Sequence, residues 1–141
     1  SGAQLTRETG WTPVREGSSL LAYRHWQVSG NAPSDASQVI SGLVPGEAYT
    51  LTVYANRDSV AAGRALAESV ELRVETGSGP LRWLESETFS VAEIATGSRF
   101  SRLQVRFVAT QPAHRVRLVC TPGTGNRDGA VKFDGLHLAQ D

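Results

Sequence analysis

Apolar and polar residues alternate one by one along most of this chain. In YTLTVYA (49–55), Tyr49, Leu51 and Val53 fall on one side and Thr50, Thr52 and Tyr54 on the other. VELRVE (70–75) is just as strict, setting Val70, Leu72 and Val74 against Glu71, Arg73 and Glu75. LQVRF (103–107) and RVRLVC (115–120) repeat the pattern, with Gln104, Arg106, Arg115 and Arg117 at polar positions. Successive side chains of a strand point to opposite faces, so a period of two marks a strand with one buried and one wet face. SLLAYRHWQV (19–28) and the closing AVKFDGLHLAQD (130–141) add further strands. Between them lie SGNAPSDAS, GLVPGE, NRDSVAAG, TGSGP, TQPAH and TPGTGNRDG, whose Gly, Pro, Asn, Asp and Ser content predicts turns. Only SVAAGRALAES (59–69) has helix-like composition, weakened by Gly63. At least seven such strands predict an all-β fold, a two-sheet antiparallel β-sandwich or jelly roll, forming a single module over residues 1–141.

The closing strand breaks its own rhythm. Val131 and Phe133 sit on one parity, Leu136 and Leu138 on the other. A regular strand puts the Asp134 carboxylate on the face of Leu136 and Leu138, in the core, where a charge needs a cation. A bulge at Asp134-Gly135 turns the same carboxylate outward and needs none. The residues alone admit both readings.

Composition narrows the partners. The 14 basic and 14 acidic side chains cancel, whereas nucleic acid and anionic membranes select a basic excess, so neither is expected. No apolar run approaches the ~18 residues of a membrane span, so no membrane insertion is expected. Cys120 is the single cysteine and lies in an apolar alternating run; it is expected buried and inert. Arginine outnumbers lysine 13 to 1, a bias of GC-rich bacterial coding sequence, and methionine is absent. The chain reads as a processed piece of a larger protein, with Ser1-Gly2 a remnant of processing or expression.

Catalytic signatures are missing. His25, His114 and His137 stand in separate segments without metal-ligand spacing, and no HExxH, CxxC, phosphate loop or GxSxG occurs. Glu71 and Glu75 on one strand lie about 13 Å apart, beyond the ~9.5 Å limit of an inverting glycosidase pair. An enzyme is therefore not expected, although a small hydrolase using carboxylates brought together by the fold is the third reading. In GTGNRDG (123–129), Asn126 and Asp128 are spaced like calcium-loop ligands, but no closing Glu follows and a glycine-rich hairpin connection explains it. The polar faces mix arginines, carboxylates, hydroxyls and a tyrosine. Solvated sheet surface accounts for such a face, and so does hydrogen bonding to sugar hydroxyls, with arginines pairing to uronate carboxylates.

GLVPGEAYTLTVYAN (42–56) resembles the L-x-P-G-x-x-Y corner of fibronectin type III domains, where the tyrosine hydroxyl ties a loop to the strand. Too many strand-like segments follow it for that module. The stretch also resembles carbohydrate-binding modules of families 4, 9 and 22, and this second resemblance runs along the chain in order. Gly10-Trp11, GSSLLAY (17–23), RWLESETFSV (82–91), LQVRFVA (103–109) and VKFDGLHL (131–138) match successive family segments.

That resemblance implies a jelly roll that binds polysaccharide through a concave sheet face or a loop edge, as a non-catalytic part of a secreted or cell-surface bacterial protein. It implies a possible structural Ca²⁺ held by Asp134, with Glu8 and Gly17 as the nearest counterparts of the other ligands. Gly135 stands where the family has a second aspartate. The expected ligand-binding residues are Tyr54, Trp83 and Trp26, whose flat rings suit a pyranose face, together with Arg73, Arg106 and Arg117. Trp26 shares parity with Leu20, Ala22 and Val28, a core pattern, while Tyr54 shares a face with two threonines. The alternative expectation is a structural or protein-interaction sandwich of a phage tail, secretion system or surface protein, without a sugar site.

Overall fold

The computed structural model describes residues 4–9, 19–24, 33–58, 67–122 and 130–141, with side chains over 33–58, 69–121 and 131–141. These residues form strands β1 (Gln4–Thr9), β2 (Ser19–Arg24), β3 (Ser34–Ile40), β4 (Ala48–Arg57), β5 (Ala67–Thr76), β6 (Trp83–Ser90), β7 (Ser101–Val108), β8 (His114–Pro122) and β9 (Ala130–Gln140). A single 3₁₀ turn, Val91–Glu93, follows β6. One sheet has the order β1-β2-β9-β4-β7 and the other β3-β8-β5-β6, with every pairing antiparallel. This is the two-sheet β-sandwich that the alternation predicts.

The core lies between the sheets and takes one parity from each of four strands: Leu51, Val53 and Ala55 of β4, Val70, Leu72 and Val74 of β5, Leu103, Val105 and Phe107 of β7, Val116, Leu118 and Cys120 of β8. Burying each large side chain contributes about 1.5–3 kcal/mol, which fixes strand register because a one-residue slip turns the whole set outward. Cys120 is buried as expected, and burial pushes its thiol pKa well up, so the sulfur stays protonated and inert. The tyrosine corner forms: Tyr49 is buried, stacks on Phe107 and accepts the Val44 N–H through its hydroxyl at 2.9 Å.

Two expectations need correction, and one open question is decided. Residues 34–37, read as part of a turn, belong to β3, which among the described residues pairs only with β8, at the sheet edge. Its polar sequence, SDASQVI, follows from that edge position, since one neighbour and a thin core contact demand few apolar residues. The helix-like stretch ends inside β5, with Ala67–Ser69 extended; residues 59–66 lie outside the described residues. The open question is that of Asp134, and the bulge reading holds. Thr52 pairs with His137 and Tyr54 with Asp134, so two residues of β9, Gly135 and Leu136, oppose Val53 alone. That is a bulge, eased by Gly135 in the left-handed region (φ 65°). Asp134 is thereby excluded from the core and accepts the Gly135 N–H through Oδ1 at 2.8 Å.

Candidate functional site

The bulge decides what β9 shows to solvent. Upstream of it Val131 and Phe133 point inward; downstream Leu138 packs against the core opposite Leu51. Asp134 and His137 consequently share the outer face of the five-stranded sheet, beside Tyr54 and Thr52 of β4. Tyr54 and His137 lie nearly parallel, ring centroids 6.3 Å apart at 24°. The His137 ring is further fixed by a 3.1 Å contact between Nδ1 and the Gly135 carbonyl, in which the nitrogen donates. Gln104 of β7 donates to the Thr52 hydroxyl at 3.1 Å, and Thr52 is 2 % exposed at the floor of this face. One end is closed by the segment after β6. Asn56, buried, donates to the carbonyls of Gly97 (3.0 Å) and Arg99 (2.7 Å), and Arg57 Nε donates to that of Ile94 (3.0 Å). At the other end Arg106 Nε donates to Asp141 Oδ2 at 2.5 Å, and Thr50 donates to Asp141 Oδ1 at 2.8 Å.

The outer face of the four-stranded sheet differs in kind. Arg73 donates from Nε and Nη2 to the two oxygens of Glu71, at 2.9 and 2.8 Å, and from Nη1 to Glu75 at 3.3 Å. Arg117 clamps Glu75 from Nε and Nη2 at 3.0–3.1 Å and also pairs with Asp35. Ser86 donates to Glu71 at 2.6 Å, and Arg115 to Ser37 at 2.9 Å. Glu75 is fully buried under this lattice. The hydrogen bond from Arg73, helped by that from Ser86 and opposed by partial desolvation, holds the Glu71 carboxyl below its ordinary range. At the edge of the sheet Trp83 is 59 % exposed, with the Arg73 guanidinium 3.5 Å above its ring.

The six expected ligand residues therefore divide. Tyr54 and Arg106 stand on the five-stranded sheet, about 13 Å apart at four residues of strand rise. Arg73, Arg117 and Trp83 come together on the opposite sheet. Trp26 and Gly17 lie outside the described residues, as does the loop 123–129. Glu8 is opposite Leu20 in the β1–β2 ladder, with its side chain outside the described set. Among the described residues no group of three or more His, Cys, Asp or Glu side chains is placed to hold a metal ion. His137, Thr52 and Gln104 were not among the expected site residues. Finding His137 required the bulge and the β4–β9 pairing, neither of which alternation reveals.

Arginine pairing to uronates also changes. Arg73 and Arg117 already face Glu71, Glu75 and Asp35, so their forks are filled by the protein's own carboxylates. A cavity of about 380 Å³ opens between the sheets beside the bulge, walled mainly by core side chains such as Leu51, Val53, Val116 and Phe133. Those walls are the wrong chemistry for a ligand recognised through hydroxyls.

No protein-family model and no curated protein sequence matches the chain. Solved structures do share its fold. A family 61 carbohydrate-binding module in complex with β-1,4-galactotriose superposes with a TM-score of 0.59 at 12 % identity, covering 89 % of this chain and 73 % of that one. A family 22 xylan-binding domain from Paenibacillus barcinonensis gives 0.56 at 16 % identity over 99 % of this chain and 81 % of that one. The enzymatically active domain of tailspike protein 4 of bacteriophage CBA120 gives 0.62 at 13 % identity, covering 98 % of this chain but 18 % of that one.

Proposed function

We propose that the chain is a non-catalytic carbohydrate-binding module holding a polysaccharide on the outer face of its five-stranded sheet. The observation that carries this reading is the parallel Tyr54–His137 ring pair set among Thr52 and Gln104. A flat ring matches the C–H face of a pyranose, while the exposed Gln104 amide, held by the buried Thr52 hydroxyl, takes a sugar hydroxyl. Arg102 (next to Tyr54 across the β4–β7 ladder) and Arg106 extend the polar strip along β7. The shared fold with modules whose structures include a galactotriose complex and a xylan-binding domain supports the same class of ligand.

On this reading the chain serves a secreted or cell-surface parent protein, bringing that protein to its polysaccharide without chemistry of its own. Among the described residues no helix is long and apolar enough to cross a membrane. The structural calcium is part of the proposal, with Asp134 its one described ligand.

The test is affinity electrophoresis through gels loaded with neutral or acidic polysaccharides. Retardation by at least one glycan is expected, and Tyr54→Ala should weaken it about tenfold or more, since one lost ring contact is worth ~1.5 kcal/mol of stacking and buried area. No retardation by any glycan would sink the reading. The tailspike similarity favours a second one, a structural sandwich within a larger assembly, and mobility unaffected by every glycan is its expected result.

A further inference from the structure

The ion-pair lattice of the four-stranded sheet ends on an indole. Glu75, fully buried, is clamped by Arg117 and contacts Arg73; Arg73 is clamped again by Glu71 and lays its guanidinium on Trp83. Each member loses its rotamer freedom to the next, so the last one, Trp83, is held in place without being buried. The guanidinium occupies one face of the ring and contributes a cation–π attraction. The indole is nevertheless 59 % exposed, and it stands on β6, the edge strand of its sheet. A rigid aromatic plate in water has its ordering entropy already lost before a ligand arrives, which is the main cost of seating a ring on it.

We infer that Trp83 is the platform of a second carbohydrate site, on the sheet opposite Tyr54, and that it seats a pyranoside ring. The plate matches the C–H face of one sugar ring. Ser86 and Thr88 follow on the outer face of β6, and Leu81 and Arg82, both exposed, precede the tryptophan. β6 itself carries Glu85 and Glu87, both exposed, and no basic residue. The arginine stacked on the ring is neutralised by Glu71 and Glu75, whereas Arg82, immediately before Trp83, is exposed and has no ion-pair partner among the described residues. The two platforms lie on opposite faces of a sandwich whose sheets pack about 10 Å apart, so one trisaccharide cannot span both. The module would join two glycan chains, and binding to insoluble polysaccharide would exceed either site alone through effective concentration.

The inference shares its class of ligand with the proposed function and rests on that reading for nothing else. Isothermal titration of the full chain with β-1,4-galactotriose, xylotriose, cellotriose and trigalacturonate tests it, with Tyr54→Ala, Trp83→Ala and the double variant alongside. At least one of these trisaccharides should bind with two sites per chain. Trp83→Ala should leave one site of unchanged Kd and lower retention on the insoluble glycan tenfold or more, whereas Trp83→Phe should keep both sites. Because Trp83 is exposed, its alanine variant should keep the wild-type unfolding midpoint within a few degrees, and a lower one is checked by Trp83→Phe. One site per chain, with the Trp83→Ala isotherm identical to wild type, overturns the inference and leaves the Tyr54 face standing. Loss of all binding in Trp83→Ala with Tyr54→Ala unaffected does the reverse. No binding by any of the four trisaccharides also overturns it.

Discussion

Two ion pairs in this protein look alike on paper and should differ greatly in worth. Glu75 has no exposed surface and accepts from Arg117 at 3.0–3.1 Å and from Arg73 at 3.3 Å. Arg106 donates to Asp141 at 2.5 Å, but its side chain is 70 % exposed. Glu75→Gln keeps the shape of the side chain and removes the charge. Its amide nitrogen then turns a donor toward guanidinium donors, losing charge-assisted bonds worth about 1.5–3 kcal/mol. Breaking a wholly buried pair costs about 3–5 kcal/mol. Here Arg73 keeps Glu71, Arg117 keeps Asp35, and both arginines retain some solvent, 15 % and 24 % by side chain. We therefore place the loss near 2 kcal/mol, or about 8 °C in Tm for a chain of this length.

Arg106→Ala should cost no more than ~0.5 kcal/mol, because water replaces the lost partner. Equilibrium unfolding in urea measures both, with the slope unchanged so that the midpoint shift reports stability. A Glu75→Gln loss below ~0.5 kcal/mol, or an Arg106→Ala loss as large, would refute the claim that burial sets the worth of this lattice.

Three further outcomes are expected. Gly135→Ala forces a side chain into the left-handed region and should cost about 1–2 kcal/mol in the same unfolding assay while leaving glycan affinity intact, because the Thr52–His137 and Tyr54–Asp134 pairings hold the bulge in place; an affinity falling with stability argues against this. Glu71 titrates below its ordinary 4.5 because of the Arg73 hydrogen bond, so its contribution is complete above that pH and is lost as pH falls through the lower folded value. The stability gap between wild type and Glu71→Gln should thus be flat above about pH 5.5 and close under acid, and a gap that widens under acid contradicts it. If Asp134 holds calcium, chelation should lower Tm, added Ca²⁺ should restore it, and Asp134→Asn should abolish the difference; equal Tm values with and without chelator remove the metal.

What the chain reveals by itself follows from what repeats. The core of β4, β5, β7 and β8 is legible because Leu51, Leu72, Val105 and Val116 recur at a period of two, and a period needs no partner to be seen. The Tyr49 corner is legible because its contact spans five residues. β3 is hidden because an edge strand with few core contacts carries no apolar rhythm. The functional faces are half legible. Alternation assigns Glu71, Arg73 and Glu75 to one polar face, but it cannot say that Arg117 of another strand fills the carboxylates there, since that depends on the β5–β8 register. It likewise places Trp83 on no particular neighbour, and only the β5–β6 pairing brings Arg73 onto the ring.

The two polar faces can be told apart by asking where their hydrogen-bonding capacity goes. On the four-stranded sheet, three carboxylates and two arginines satisfy one another, and a ligand entering there would have to break pairs already made. Among the described residues, the exposed end of that lattice, Trp83, is the part left open. On the five-stranded sheet the bulge shifts the phase of β9 by one residue, so Leu138 turns into the core and His137 turns out beside Tyr54. Without that extra residue, continuing the parity of Phe133 would bring His137 inward and Leu138 into water, losing about 1.5–3 kcal/mol of burial and the ring pair together. The same irregularity thus serves packing and exposes the platform, which is why the one position where alternation fails lies at the centre of the proposed site.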